Sequence, residues 1–207
     1  MHQKKINYAG KKISEASKAL IMIHGRGADA ADILSLSSYF NLDGYALLAP
    51  QATNHSWYPA SFMSPPSVNE PWLSSALQVL DETIEEIVSG DISQENIYFL
   101  GFSQGACLTL EYVTRNATKY GGVVAFTGGL IGDKIYLQNY SGDFQRTPVF
   151  IGTSDPDPHV PVARVHATTN LLLNMNADVS EKVYDNMGHT ISQDEIKRAG
   201  AKVFLND

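Results

Sequence analysis

The chain has 207 residues, 43% of them hydrophobic and 18% charged, enough for one sizeable globular domain and short for two. A formal net charge of −7 argues against nucleic acid or an anionic membrane surface as the main partner. No apolar run approaches the ~18–20 residues of a membrane span, the stretch from Met1 to Asn7 lacks a signal-peptide core, and Cys107, the single cysteine, leaves no intrachain disulfide and no cysteine metal cluster. The expectation is one domain over 1–207, cytoplasmic, with no stable membrane insertion.

Ile6 to Glu15 reads as a small hairpin about Gly10-Lys11. Ala19 to Ile23 is an unbroken apolar run, the pattern of a strand buried on both faces in a parallel sheet. It stops at His24-Gly25-Arg26-Gly27. A helix then opens at Asp29 or Ala30 and reaches about Tyr39. Tyr45 to Ala49 is the next buried strand. Gln51 to Pro71 has no clear period and holds four prolines among Trp57, Tyr58, Phe62 and Met63, and loops of this length tend to be functional. Following a strand's carboxyl end, those four side chains are expected to wall a substrate pocket. Trp72 to Val88 is an amphipathic helix closed by Gly90.

Asn96 to Leu100 is a short apolar run rich in the β-branched and aromatic residues that suit a strand. Gly101-Phe102-Ser103-Gln104-Gly105 follows, then a helical pattern from Ala106. G-x-S-x-G between a strand and a helix is the setting of a nucleophile elbow, where flanking side chains would crowd strand or helix. Gly122 to Phe126 and Pro148 to Ile151 are further buried strands, the second followed by the turn Gly152 to Pro158. A helix spans about Pro161 to Asn176. Val179 to Tyr184 alternates like an edge strand, His189 lies in the loop beyond it, and Ser192 with Glu195 forms a capping box for a last helix. Strands alternating with helices predict an α/β protein with a mainly parallel central sheet, helices on both faces, and ligands bound beyond the strands' carboxyl ends.

A serine hydroxyl needs a base within hydrogen-bond reach, and the base needs an orienting carboxylate. In this class of fold the chain order is Ser, then Asp or Glu, then His. Ser103 comes first. Of the six histidines, His189 alone lies after an acidic turn, in a loop beside a glycine. His2 falls in a terminus expected to fray, His24 has a structural role, His55 is a surface residue, His159 follows the acidic turn too closely, and His166 sits in a helix. Asp155 and Asp157 both remain candidates for the carboxylate. Pro158 favours an extended conformation at Asp157, which leaves Asp155 as a turn residue. The tetrahedral intermediate needs two N–H donors, expected from the backbone of Gln104 and of Arg26. Cys107 reads as a buried packing residue. No metal-ligand spacing occurs and no cofactor is expected.

His24-Gly25-Arg26-Gly27, Gly101 to Ala106, Asp157-Pro158-His159-Val160-Pro161 and Gly188 to Ile191 together resemble the phospholipase/carboxylesterase family of α/β-hydrolases, over about Ala19 to Val203. The resemblance implies an α/β-hydrolase fold without a large cap domain. It also implies hydrolysis of carboxylic esters of small or medium acyl chains, a Ser103–His189–Asp157 triad, and oxyanion donors at Arg26 and Gln104. The partner is then a small-molecule ester, and a homodimer is left open. Arg26 departs from the apolar residue of acyl-protein thioesterases, and Trp57-Tyr58-Pro59 from their Trp-Phe-Asp. The alternative on the same triad is a lysophospholipase or acyl thioesterase. The rival of another class is a silent α/β-hydrolase that only binds a ligand.

Overall fold

The structure, a computed structural model, describes residues 1–204, so the last three residues of the expected 1–207 domain lie outside the described residues. In chain order the strands are β1 (Ile6–Gly10), β2 (Lys18–Ile23), β3 (Tyr45–Pro50), β4 (Ile97–Phe102), β5 (Gly122–Phe126), β6 (Pro148–Asp155) and β7 (Asp178–Asp185). The α-helices are α1 (Ala30–Ser35), α2 (Pro66–Asn69), α3 (Trp72–Ser89), α4 (Gln104–Arg115), α5 (Val162–Asn174) and α6 (Gln193–Ala199). The strands form one sheet in the order β1-β3-β2-β4-β5-β6-β7, parallel throughout except for β1.

The pleat explains why the central strands are apolar without alternation. Ala19, Ile21 and Ile23 of β2 face one buried cluster with Phe99 of β4 and with Leu73, Leu80, Leu108 and Val165 from α3, α4 and α5. Leu20 and Met22 face the other, with Leu100 of β4, Ile33 of α1 and Ala199 of α6. Helices therefore cover both faces, and no large cap domain is inserted among the described residues. None of the described helices is long and apolar enough to cross a membrane.

Three expectations need correction. Ile6 to Glu15 is not a hairpin: β1 pairs antiparallel with β3, Gly10 opposite Ala46, and the chain then turns through a short 3₁₀ helix, Ile13–Glu15. The β3 edge needs a partner more than the short segment needs a local turn. The β6 strand runs on to Asp155, because β7 pairs with it as far as Asp155 opposite Asp185. Asp155 is thus a strand end and not a turn residue. The terminus at His2 is docked: its backbone N–H donates to Ser75 Oγ at 2.9 Å, and its ring bridges Thr53 and Trp57.

Candidate active site

Ser103 stands between β4 and α4 with φ 54° and ψ −119°, a backbone conformation that L side chains rarely adopt. The fold over-determines it. Its N–H donates to the Phe126 carbonyl at 2.9 Å and its carbonyl accepts from the Cys107 N–H at 3.0 Å. The two flanking glycines allow the close approach: a Cβ on Gly105 would sit 2.1 Å from the Ile23 carbonyl oxygen, and one on Gly101 would sit 2.5 Å from the Gly105 oxygen. So α4 starts against the ends of β2 and β4, and the Ser103 side chain is held out at the carboxyl edge of the sheet.

There it meets two other residues from separate strand ends. The Ser103 Oγ lies 2.8 Å from His189 Nε2, and His189 Nδ1 lies 2.8 Å from Asp157 Oδ2. The other Asp157 oxygen accepts the backbone N–H groups of His159 and Val160, both at 2.8 Å. The Asp157 side chain is fully buried, and that of His189 is 20% exposed. Burial alone would raise the Asp157 pKa. The His159 N–H, the His189 ring and the Val160 N–H outweigh it, and the carboxyl stays below its ordinary value. An ionised Asp157 takes the Nδ1–H, which leaves Nε2 as the acceptor for the Ser103 hydroxyl. Asp155 is exposed, and its backbone carbonyl accepts the Asn186 N–H at 3.0 Å.

The loop that carries His189 is fixed by the Gly188 N–H donating to Ser154 Oγ at 3.0 Å. The His189 ring lies between those of Phe102 and His159, with centroids 5.3 and 4.9 Å away.

The backbone N–H groups of Arg26 and Gln104 make no hydrogen bond among the described residues, whereas the neighbouring Gly27 N–H is taken by the His55 carbonyl at 2.7 Å. Both residues line a cleft of about 490 Å³ that also contains Ser103 and His189. Their side chains have a role that sequence reasoning missed. Gln104 Oε1 accepts the Trp57 N–H at 2.9 Å, and its Nε2 donates to the Tyr58 carbonyl at 2.8 Å. The Arg26 guanidinium donates to the carbonyls of Tyr58, Pro59 and Ala60 at 2.7–2.9 Å. Two side chains thus grip the backbone of the 51–71 segment. Only the long-range fold brings them together, so no local signal could have found them.

Of the four residues expected to wall the pocket, Tyr58 and Phe62 line the cleft and Trp57 and Met63 do not. Trp57 is 0% exposed: its indole N–H donates to the His24 carbonyl at 2.9 Å and its ring packs between His24 and His2. Met63 is half-buried and packs on the larger core cluster. The opposite wall, Pro158, His159 and Val160, comes from the Asp157 turn and was not anticipated. Cys107 lies at the cleft with its thiol pushed up to about 12, chiefly by burial. His24 is fully buried and structural, accepting the Ala52 N–H at Nε2 and facing the Gly25 carbonyl at Nδ1. His166 is paired with Glu181.

A family model described as Phospholipase/Carboxylesterase matches residues 6–206. A crystal structure of a phospholipase/carboxylesterase from Dyadobacter fermentans DSM 18053 is 55% identical, superposes with a TM-score of 0.97, and the match covers 98% of this chain and 97% of that one. Acyl-protein thioesterase 1 of Saccharomyces cerevisiae is 26% identical over 90% of this chain and 91% of its own length. A protein of Arabidopsis thaliana named probable carboxylesterase SOBER1-like is 28% identical over 62% of this chain, a match that spans about half of that relative.

Proposed function

The chain belongs to the phospholipase/carboxylesterase family, with its α/β-hydrolase fold, and from that premise we propose that it hydrolyses carboxylic esters of small or medium acyl chains through an acyl-enzyme on Ser103. The observation that carries the reading is the unbroken line Ser103–His189–Asp157, with both links at 2.8 Å. Ser103 Oγ attacks the ester carbonyl and its proton passes to His189 Nε2. The carbonyl π electrons move onto oxygen, and the backbone N–H groups of Arg26 and Gln104 receive that oxyanion. The carbonyl re-forms, the C–O bond to the alcohol breaks, and His189 returns the proton to the leaving oxygen. Asp157 holds the ring in one tautomer and stabilises the imidazolium between the two transfers. A water then repeats the sequence on the acyl-Ser103 ester, releasing the acid and the free serine.

A cleft of about 490 Å³ with Tyr58 and Phe62 on one wall suits a small or medium acyl group. The substrate is then a small-molecule ester, and the single, buried cysteine suits a cytoplasmic protein. The likeness to a yeast protein named acyl-protein thioesterase 1 supports a second reading, an acyl thioester as substrate of the same residues.

A fluorophosphonate probe should label the wild-type protein at Ser103 and leave Ser103→Ala unlabelled. Labelling that persists in the variant would sink the assignment. A panel of p-nitrophenyl esters of rising chain length, set beside matched thioesters, separates the two readings. Phe62→Ala should shift the preferred length upward, and Met63→Ala should not.

A further inference from the structure

Resting on the esterase reading above, we infer that the Arg26 guanidinium recognises a carboxylate carried by the substrate, so that the preferred esters are anionic. Among the described residues that line the cleft, one, Arg26, is permanently charged, and it is a cation. Among the described residues no Asp or Glu lines it. The titratable Tyr58 and Cys107 are both pushed up, above all by burial, and stay neutral. The chain as a whole has 22 acidic against 15 basic side chains, so the bias of the cleft runs opposite to that of the molecule.

The cation is also fixed in place and unneutralised. Three of the five guanidinium N–H groups are used on the carbonyls of Tyr58, Pro59 and Ala60. Carbonyls orient a guanidinium but leave its unit charge standing. No carboxylate among the described residues forms an ion pair with Arg26. The Nε–H and the second Nη1–H have no acceptor among them. An immobilised fork on an exposed residue that lines the cleft, with two donors lacking an acceptor among the described residues, is suited to a carboxylate, because little side-chain freedom is lost on binding. A loop clamp accounts for three of the donors and leaves the charge and the other two without a role.

The test compares three p-nitrophenyl or phenyl esters of equal size: a neutral acyl ester, one with a terminal carboxylate on the acyl chain, and one with a carboxylate on the alcohol. In wild type, one of the two anionic esters should have a KM roughly tenfold lower than the neutral isostere, the lower end of what a hydrogen bond to a charged group contributes. Which of the two benefits tells on which side of the scissile bond Arg26 acts. Arg26→Gln should abolish that advantage while changing kcat for the anionic and neutral esters by the same factor. Arg26→Met, whose stem packs as arginine's does, provides a second neutral variant if the first does not fold. Equal KM values for all three esters in wild type would overturn the inference, and so would an advantage that survives in a folded neutral variant. Absence of hydrolysis of any ester by folded wild type would instead sink the esterase reading itself.

Discussion

Two loops leave the carboxyl edge of the sheet and meet over Ser103, and they are held in opposite ways. The 51–71 segment is tied down by groups that take no part in proton transfer: the Gln104 amide, the Arg26 fork, the buried Trp57 and the His2 ring. The 186–192 loop has little such anchoring. Gly188 holds Ser154 Oγ, Asn186 holds the Asp155 carbonyl, the Thr190 N–H donates to the Gly188 carbonyl within the loop itself, and among the described residues the polar ties from its centre to the rest of the fold are the two ring bonds of His189. The wall of the cleft is therefore scaffold, with its order built from long-range packing. The base is ordered chiefly by the contacts that its proposed chemistry uses. Substitutions on the two sides should accordingly separate activity from stability.

The largest effect is expected at the end of the histidine line. Ser103→Ala should lower kcat by roughly 10⁴–10⁶-fold with little change in thermal stability; a purified, folded variant retaining a tenth of wild-type activity would refute the nucleophile assignment. Asp157→Asn should cost about 10⁴-fold in kcat, because an amide cannot fix the tautomer or stabilise the imidazolium. It also carries a pH signature. The folded pKa of Asp157 is depressed, so the native state binds fewer protons there than the unfolded chain does. The stability this supplies is present above the ordinary carboxylate value of about 4 and is lost as pH falls through the lower, folded value. Melting curves of wild type and Asp157→Asn should therefore converge in acid; a gap that stays constant down to pH 2 would contradict this.

On the anchored side the order reverses. Gln104→Ala keeps the backbone N–H but strands the buried Trp57 N–H, while the Tyr58 carbonyl keeps the Arg26 guanidinium and the Ser56 hydroxyl as donors. A stability loss of about 1–3 kcal/mol is expected, read as a fall of several degrees in Tm. Its activity loss should stay within roughly 10²-fold, the cost of a displaced wall. An unchanged Tm would show that the grip on the loop is dispensable. The smallest effect is expected for Asp155→Asn, at an exposed strand end: stability within about 0.5 kcal/mol and kcat nearly unchanged. A severe loss here with a mild one in Asp157→Asn would reverse the choice between the two carboxylates.

What could be read from the sequence follows the same division. Buried parallel strands are legible because both faces are apolar, and the elbow is legible because two glycines flank a serine at a strand end. The three residues of the histidine line could be ordered along the chain because each follows a strand. Trp57 could not be distinguished from a pocket residue, since its indole acceptor, the His24 carbonyl, lies 33 positions away. The Arg26 and Gln104 clamps escaped notice for the same reason. The N-terminal strand misled because Gly10-Lys11 has local turn chemistry, while the pairing that wins is with β3, where the Lys11 N–H reaches the Tyr45 carbonyl at 2.9 Å.

The parallel alignment of β2 and β4 acts as a ruler for the two proposed oxyanion donors. Ile23 lies opposite Gly101 in adjacent strands, and Arg26 and Gln104 each follow their member of that pair by three positions. Neighbouring strands are about 4.8 Å apart. Two N–H···O bonds of about 2.9 Å that meet at one oxygen with a roughly tetrahedral spread require nitrogens about 4.7 Å apart. The separation between strands thus starts the two amides at the width of a single oxygen atom's two bonds. Side-chain exchange at either position leaves that width alone. A one-residue insertion in β2 or β4 would change it, even with Ser103, His189 and Asp157 all intact.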